Sequence, residues 1–274
     1  MRTLLFVFTA VLLAASSVQA QPAAASVAAP LTVGETFTID SRVLNETRRI
    51  NVYLPPAYSA AADVRLPVLY MPDGGIKEDF LHVAGLVQVL SGNGSMRPFI
   101  LVGIENTARR RDLTPPTTNP DDRKIAPVVG KSADFRRFIR AELKPLVNER
   151  YRTTPESAIV GESLAGLFVV ETFLLEPDLF DTYVAFDPSL WWNHGTLVER
   201  AEPAIARTRG RALYLAASRD DIDHLTQRLA DILRGHAPRT LRWHYEPMPE
   251  ETHATIYHPA ALRAFRWLFD APGA

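Results

Sequence analysis

Five short apolar runs, at residues 67–71, 99–104, 158–160, 183–186 and 212–217, are continuous rather than alternating, and a stretch with helical spacing follows each. Runs of this kind are what strands look like when both faces are covered, and the intervening helices do the covering. They dictate a mostly parallel, doubly wound sheet. An earlier stretch, residues 46–54, ends in alternation and is closed by Pro55-Pro56. It reads as a half-buried strand paired antiparallel with residues 36–40. The expected class is therefore α/β with an antiparallel N-terminal start. Helical patterns lie at residues 132–150, 164–175, 222–235 and 259–269, and in the last Leu262, Phe265, Leu268 and Phe269 fall on one side. A final strand is expected at residues 241–245.

The termini and composition narrow the setting. Residues 1–20 carry one basic residue, Arg2, an apolar stretch over residues 4–15 and the small-residue end Val18-Gln19-Ala20. This is the pattern of a secretory signal peptide cleaved after Ala20. The apolar run is shorter than the ~18 residues that a spanning helix needs. Residues 21–31, rich in Ala, Pro and Ser, read as a flexible leader. Residues 32–271 then form one domain of ~240 residues. The expectation is an exported chain, periplasmic or secreted, with no membrane insertion after cleavage. The sequence has no cysteine, which excludes thiol nucleophiles, thiolate metal sites and disulfides. Its net charge is −1, or −2 once Arg2 is removed, and gives no footing for nucleic acid.

The motif with chemical content is Gly161-Glu162-Ser163-Leu164-Ala165-Gly166. It follows the apolar strand at 158–160 and opens a helical stretch, the setting of the nucleophile elbow in the α/β-hydrolase fold. The two glycines leave room for a sharp turn that lifts the Ser163 hydroxyl above the sheet. The N–H of Leu164, at the helix N-terminus, is placed to stabilise a developing oxyanion. In this fold the general base comes from a loop after the last strand. His253, in the run Pro247-Met248-Pro249-Glu250-Glu251-Thr252-His253, meets that condition. His258, beside Pro259 at a helix start, reads as a surface or capping residue. An acid is expected after a late strand, where Asp220, Asp221 and Asp223 follow the run at 212–217. Asp221 is the first choice to orient the imidazole, with Asp220 and Asp223 as alternatives, and those not so used would serve the helix N-terminus. The same residues with His224 match neither a calcium loop nor a zinc spacing, so no metal and no cofactor are expected.

Around this core, Asp73-Gly74-Gly75 ends a strand, and the N–H of Gly75 is paired with that of Leu164 as the candidate oxyanion site. The irregular loop at 105–116 contains Arg109-Arg110-Arg111. Arg109 and Arg111 would either hold an acidic or hydrogen-bonding substrate or form a solvated run. Trp191 and Trp192, after another strand end, would line the site or pack beneath its loop.

Several segments in order resemble the putative esterase family of α/β-hydrolases: Val52-Tyr53-Leu54-Pro55, Leu69-Tyr70-Met71-Pro72-Asp73-Gly74, Val102-Gly103-Ile104-Glu105-Asn106, the Ser163 motif and Pro188-Ser189-Leu190-Trp191-Trp192. The chain is most similar to the branch of periplasmic siderophore (enterobactin-type) esterases. The resemblance implies a cofactor-free serine esterase acting on a small-molecule ester through an acyl-serine intermediate. It supports Ser163 and His253 and marks the Arg loop and Trp pair as substrate contacts. The segment Glu251-Thr252-His253-Ala254-Thr255 departs from the family's His-Gly-Ser form. An acyltransferase of the same fold and a non-catalytic binding protein are the alternatives.

Overall fold

A computed structural model of the chain describes residues 28–270. The expected signal peptide and most of the expected leader lie outside the described residues. The chain divides between Thr32 and Val33, and all regular structure among the described residues lies in the second unit. It opens with a hairpin in which β1 (Glu35–Ser41) and β2 (Glu46–Tyr53) run antiparallel, with Phe37 opposite Ile50. Asn45 closes the turn in the left-handed region, where a short polar side chain is tolerated. Six further strands follow: β3 (Leu66–Pro72), β4 (Ile100–Ile104), β5 (Thr153–Glu162), β6 (Thr182–Phe186), β7 (Ala212–Ser218) and β8 (Arg242–Met248).

The strand order is β1-β2-β4-β3-β5-β6-β7-β8. β2 pairs antiparallel with β4, and every neighbour from β4 to β8 is parallel. The expected α/β-hydrolase fold with its antiparallel start is what the chain adopts. β3, β4 and β6 are buried at every position, the physical reason their sequences run continuously apolar. The helices Phe80–Gly92 and Tyr257–Leu268 cover one face of the sheet, and Ser163–Leu175 and Leu225–His236 cover the other with Ser132–Phe138 and Lys144–Arg150.

Four local expectations change. The single helix expected over 132–150 is broken by a π-helical turn, Ile139–Leu143, directly ahead of Pro145. Proline has no N–H to donate back into the helix, and widening the preceding turn accommodates its ring. The stretch at 222–235 begins as a short 3-10 turn, Ile222–His224, with Asp223 and His224 at positive φ, and only then continues as a helix. β8 runs three residues beyond its expected end, through Pro247, which an edge strand tolerates. The C-terminal helix buries a face centred on Ala260, Ala261, Ala264, Phe265 and Leu268, leaving Leu262 at the margin. Small alanines let it lie close to the sheet.

Because β3 and β5 to β8 are parallel, the loops after them gather along one edge. Asp73, Ser163, Asp187, Asp220, Asp221 and His253 all come from those loops.

Candidate active site

β5 passes directly into the helix Ser163–Leu175, and the reversal is made at Ser163 itself, whose φ is 60°. A β-carbon-bearing residue held in the left-handed region costs about 1–3 kcal/mol and persists only where its surroundings enforce it. The glycines of the motif explain how the turn fits. A Cβ at Gly161 would lie 2.7 Å from the carbonyl carbon of Ala165, and one at Gly166 would lie 3.0 Å from the carbonyl oxygen of Phe186.

Nε2 of His253 is 3.1 Å from Oγ of Ser163. The imidazole stands on the turn after β8, which the backbone N–H of His253 fixes by donating to the Asp220 carboxylate at 2.8 Å. Its Nδ1 is 3.2 Å from the carboxylate of Asp187. Asp187 directly follows β6 and is 5% exposed. It accepts from the N–H of Ser218 at 2.6 Å and from the Ser218 hydroxyl at 2.5 Å. Burial pushes the Asp187 carboxyl up, but the hydrogen bonds from His253 and Ser218 outweigh it and hold it below the usual range. The bond to Asp187 in turn raises the pKa of His253.

The carboxylate on the imidazole is thus Asp187 and not the expected Asp221. Asp221 accepts from the N–H and hydroxyl of Thr226 and from the N–H of Gln227, capping the helix Leu225–His236. Asp220 holds the histidine loop, and Asp223 is exposed. Asp187 sits within a segment that sequence reasoning read for its tryptophans. Its signal was present, an aspartate at the end of a buried strand, but three carboxylates after β7 offered the same signal. Ser189 was missed as well. Its hydroxyl is 3.4 Å from that of Ser163, and its N–H donates to the Ser163 carbonyl at 2.9 Å.

Leu164 stands in the first turn of its helix, where an N–H has no acceptor within the helix. The N–H of Gly75 is instead occupied, donating to the Glu78 carboxylate at 2.7 Å, so the expected pairing of Gly75 with Leu164 is not formed in this arrangement. Arg109 binds Asp73 with two parallel bonds of 2.7 Å. Arg111 is engaged elsewhere, on Glu46 and Asp112, in a network where Asp112 also takes the buried Arg48 at 2.5 Å. Each arginine therefore has a structural partner, and neither borders the cleft around Ser163.

That cleft measures about 400 Å³ and is lined by Ser163, Asp187, Ser189, Trp191, Ile222 and His253 with their neighbours. Trp191 stands in its wall. Trp192 is 1% exposed and donates its indole N–H to the Pro115 carbonyl at 2.9 Å, a packing role under the loop. A serine hydroxyl in reach of an imidazole that is itself held by a buried carboxylate is an arrangement suited to nucleophilic attack on a carbonyl.

The chain matches the family described as Putative esterase over residues 41–251. Ferri-bacillibactin esterase BesA of Bacillus subtilis (strain 168) is 30% identical over 183 residues, 60% of this chain and 62% of that protein. The siderophore triacetylfusarinine C esterase of Aspergillus fumigatus is 37% identical over 100 residues, 35% of this chain and 32% of that protein. The chain is thus matched to less than two thirds of the length of these curated relatives. Among solved structures, an IroE-like serine hydrolase from Shewanella oneidensis has a TM-score of 0.78 at 31% identity, covering 86% of this chain and 80% of that one. The BES protein from Bacillus cereus shares the fold, with a TM-score of 0.78 at 22% identity over 91% of this chain and all of that one. The match runs from the end of β1 to the turn just before His253 and takes in Ser163 and Asp187: the chain belongs to the putative esterase family.

Proposed function

We propose that the chain is an exported serine esterase that hydrolyses a siderophore-type small-molecule ester through an acyl-Ser163 intermediate. The observation that carries this reading is the line Asp187, His253, Ser163, joined at 3.2 and 3.1 Å. Nε2 of His253 takes the proton from the Ser163 hydroxyl as Oγ attacks the ester carbonyl. The tetrahedral oxyanion is met by the N–H of Leu164. Collapse expels the alcohol, which leaves with the proton that His253 returns to it. Water then repeats the sequence on the acyl-serine and releases the acid. Asp187 fixes the imidazole's tautomer and stabilises its charged form. The relatives named as siderophore esterases support that substrate class, and the mostly apolar cleft beside Trp191 and Ile222 suits an ester with an aromatic or extended acyl group. Export rests on the sequence of residues 1–20.

The decisive experiment compares wild type with Ser163→Ala on a short p-nitrophenyl ester and on a panel that includes a siderophore trilactone. The variant is expected to fold and to lose hydrolysis, and the wild type to carry a fluorophosphonate adduct on Ser163. Undiminished turnover by Ser163→Ala would overturn the mechanism. Mass analysis of the mature N-terminus checks cleavage after Ala20.

A further inference from the structure

Glu162 ends β5 and immediately precedes the nucleophile. Its carboxylate is only 15% exposed, and its Oε1 lies 3.2 Å from Nε2 of His253. That is the same nitrogen that stands 3.1 Å from Oγ of Ser163. Among the described residues, His253 is the ion-pair partner of Glu162, because the nearby guanidinium of Arg109 is taken up by Asp73. The imidazole is therefore held between two carboxylates, Asp187 on Nδ1 and Glu162 on Nε2.

One nitrogen cannot serve both neighbours at once. When His253 is neutral, the lone pair of Nε2 is free to accept the Ser163 proton. When His253 is protonated, the single Nε2–H can go to a carboxylate or to a hydroxyl, and the charge-assisted bond to the carboxylate is the stronger. We propose that Glu162 is a positioning residue for the general base, holding protonated His253 away from Ser163 and so setting the pH at which the imidazole becomes available to the nucleophile.

This rests on the serine mechanism proposed above. The proton balance is closed within the pair: at low pH each group holds one proton, loss of the first leaves one proton shared between Oε1 of Glu162 and Nε2 of His253, and loss of the second frees the imidazole, so the fully deprotonated form is the active one. Burial pushes the Glu162 carboxyl up to about 7, where it titrates alongside the imidazole, so the pair shares its protons. The groups that face Glu162 from the surrounding elements are Asp79, Arg109, Asp187, His253 and Tyr257. Asp79 and Asp187 raise it, and His253 and Arg109 lower it. The phenol oxygen of Tyr257 is buried with no hydrogen-bond partner among the described residues. Against this background the contact with Nε2 is the one that distinguishes Glu162 from the other carboxylates nearby.

The test is the pH profile of kcat/KM for wild type, Glu162→Gln and Asp79→Asn. Removal of an opposite charge in contact is expected to move the acid limb of Glu162→Gln down by about one pH unit. One unit below the wild-type limb, the variant then retains a roughly fivefold larger fraction of its own plateau. Asp79→Asn, which removes a neighbouring carboxylate without that contact, is expected to move the limb by less than half as much. A second measurement needs no turnover: the NMR titration midpoint of His253 in Ser163→Ala should fall by a similar amount when Glu162→Gln is added. An unchanged or raised midpoint overturns the proposal, as does an Asp79→Asn shift equal to that of Glu162→Gln. Hydrolysis surviving in Ser163→Ala would instead remove the serine mechanism, while the midpoint comparison would still report on the contact.

Discussion

The carboxylate of Asp187 is clamped by Ser218, which donates its backbone N–H at 2.6 Å and its hydroxyl at 2.5 Å from the end of the neighbouring strand. Two donors on one buried carboxylate leave it a single orientation, with Oδ2 toward Nδ1 of His253. Asp187→Asn keeps the shape but loses the charge that stabilises the imidazolium, so kcat on a p-nitrophenyl ester should fall by about 10³ to 10⁴ with the fold intact. Asp221→Asn should behave in the opposite way. It weakens a helix cap, costs about 1 kcal/mol in urea unfolding and leaves kcat within a few fold. Equal losses of activity in the two variants would contradict the geometry.

The buried Glu162 has a consequence for stability. Its carboxyl holds a proton up to about pH 7 in the folded chain, whereas an unfolded glutamate releases it near 4.5. A group raised in this way contributes stability fully present below the unfolded value and lost as pH rises through the folded one. His253, also raised, has the same sign, its contribution fading as pH climbs above the usual histidine range. Glu162→Gln removes the cost of ionising a desolvated carboxyl. Its melting temperature should exceed that of wild type at pH 8, by the equivalent of roughly 1–3 kcal/mol, with the gain nearly gone at about pH 4. Thermal melts at the two pH values check this, and a variant less stable at pH 8 would refute it.

These residues also show where sequence reasoning reaches and where it stops. The elbow at Ser163 is legible because everything that makes it is local: a buried strand, two glycines where a Cβ would collide, and a helix directly behind. His253 is legible because it stands on the loop after the last strand, in the expected chain order. The order serine, acid, histidine fits Asp187 and Asp221 equally. Which one reaches the imidazole depends on Ser218 and Thr226, donors contributed by other elements, and no spacing along the chain encodes that. Gly75 is misread for the same reason: its N–H looks free in sequence and is taken by a carboxylate three residues on.

Arg111 illustrates how a charged loop can be structural. It binds Glu46 at the start of β2 and Asp112, which is 1% exposed, and so ties the hairpin to the loop after β4. Arg111→Ala should lower stability by about 1–2 kcal/mol, since Asp112 keeps Arg48 but loses one of its two guanidinium partners. KM for an ester substrate should stay within about twofold. Urea unfolding and steady-state kinetics on the same preparation measure both, and a large rise in KM with unchanged stability would return Arg111 to the substrate site.

Trp191 and Trp192 are adjacent, with ring centroids 6.0 Å apart, yet they divide the work that the sequence left open between them. Trp192 is buried with its N–H satisfied by the Pro115 carbonyl, so truncation opens a cavity and orphans an acceptor. Trp192→Ala should cost about 3–5 kcal/mol of folding stability. Trp191 is half-buried in the cleft wall beside Ser163, and removing its ring strips apolar surface from a bound acyl or alcohol group. Trp191→Ala should therefore fold nearly as well as wild type and lower kcat/KM by roughly tenfold, mostly through KM, as expected for loss of about 1.4 kcal/mol of binding that ground and transition state share. If the ring contacted only the reacting carbonyl, kcat would fall instead, because that group alone changes charge and shape on the way to the tetrahedral intermediate.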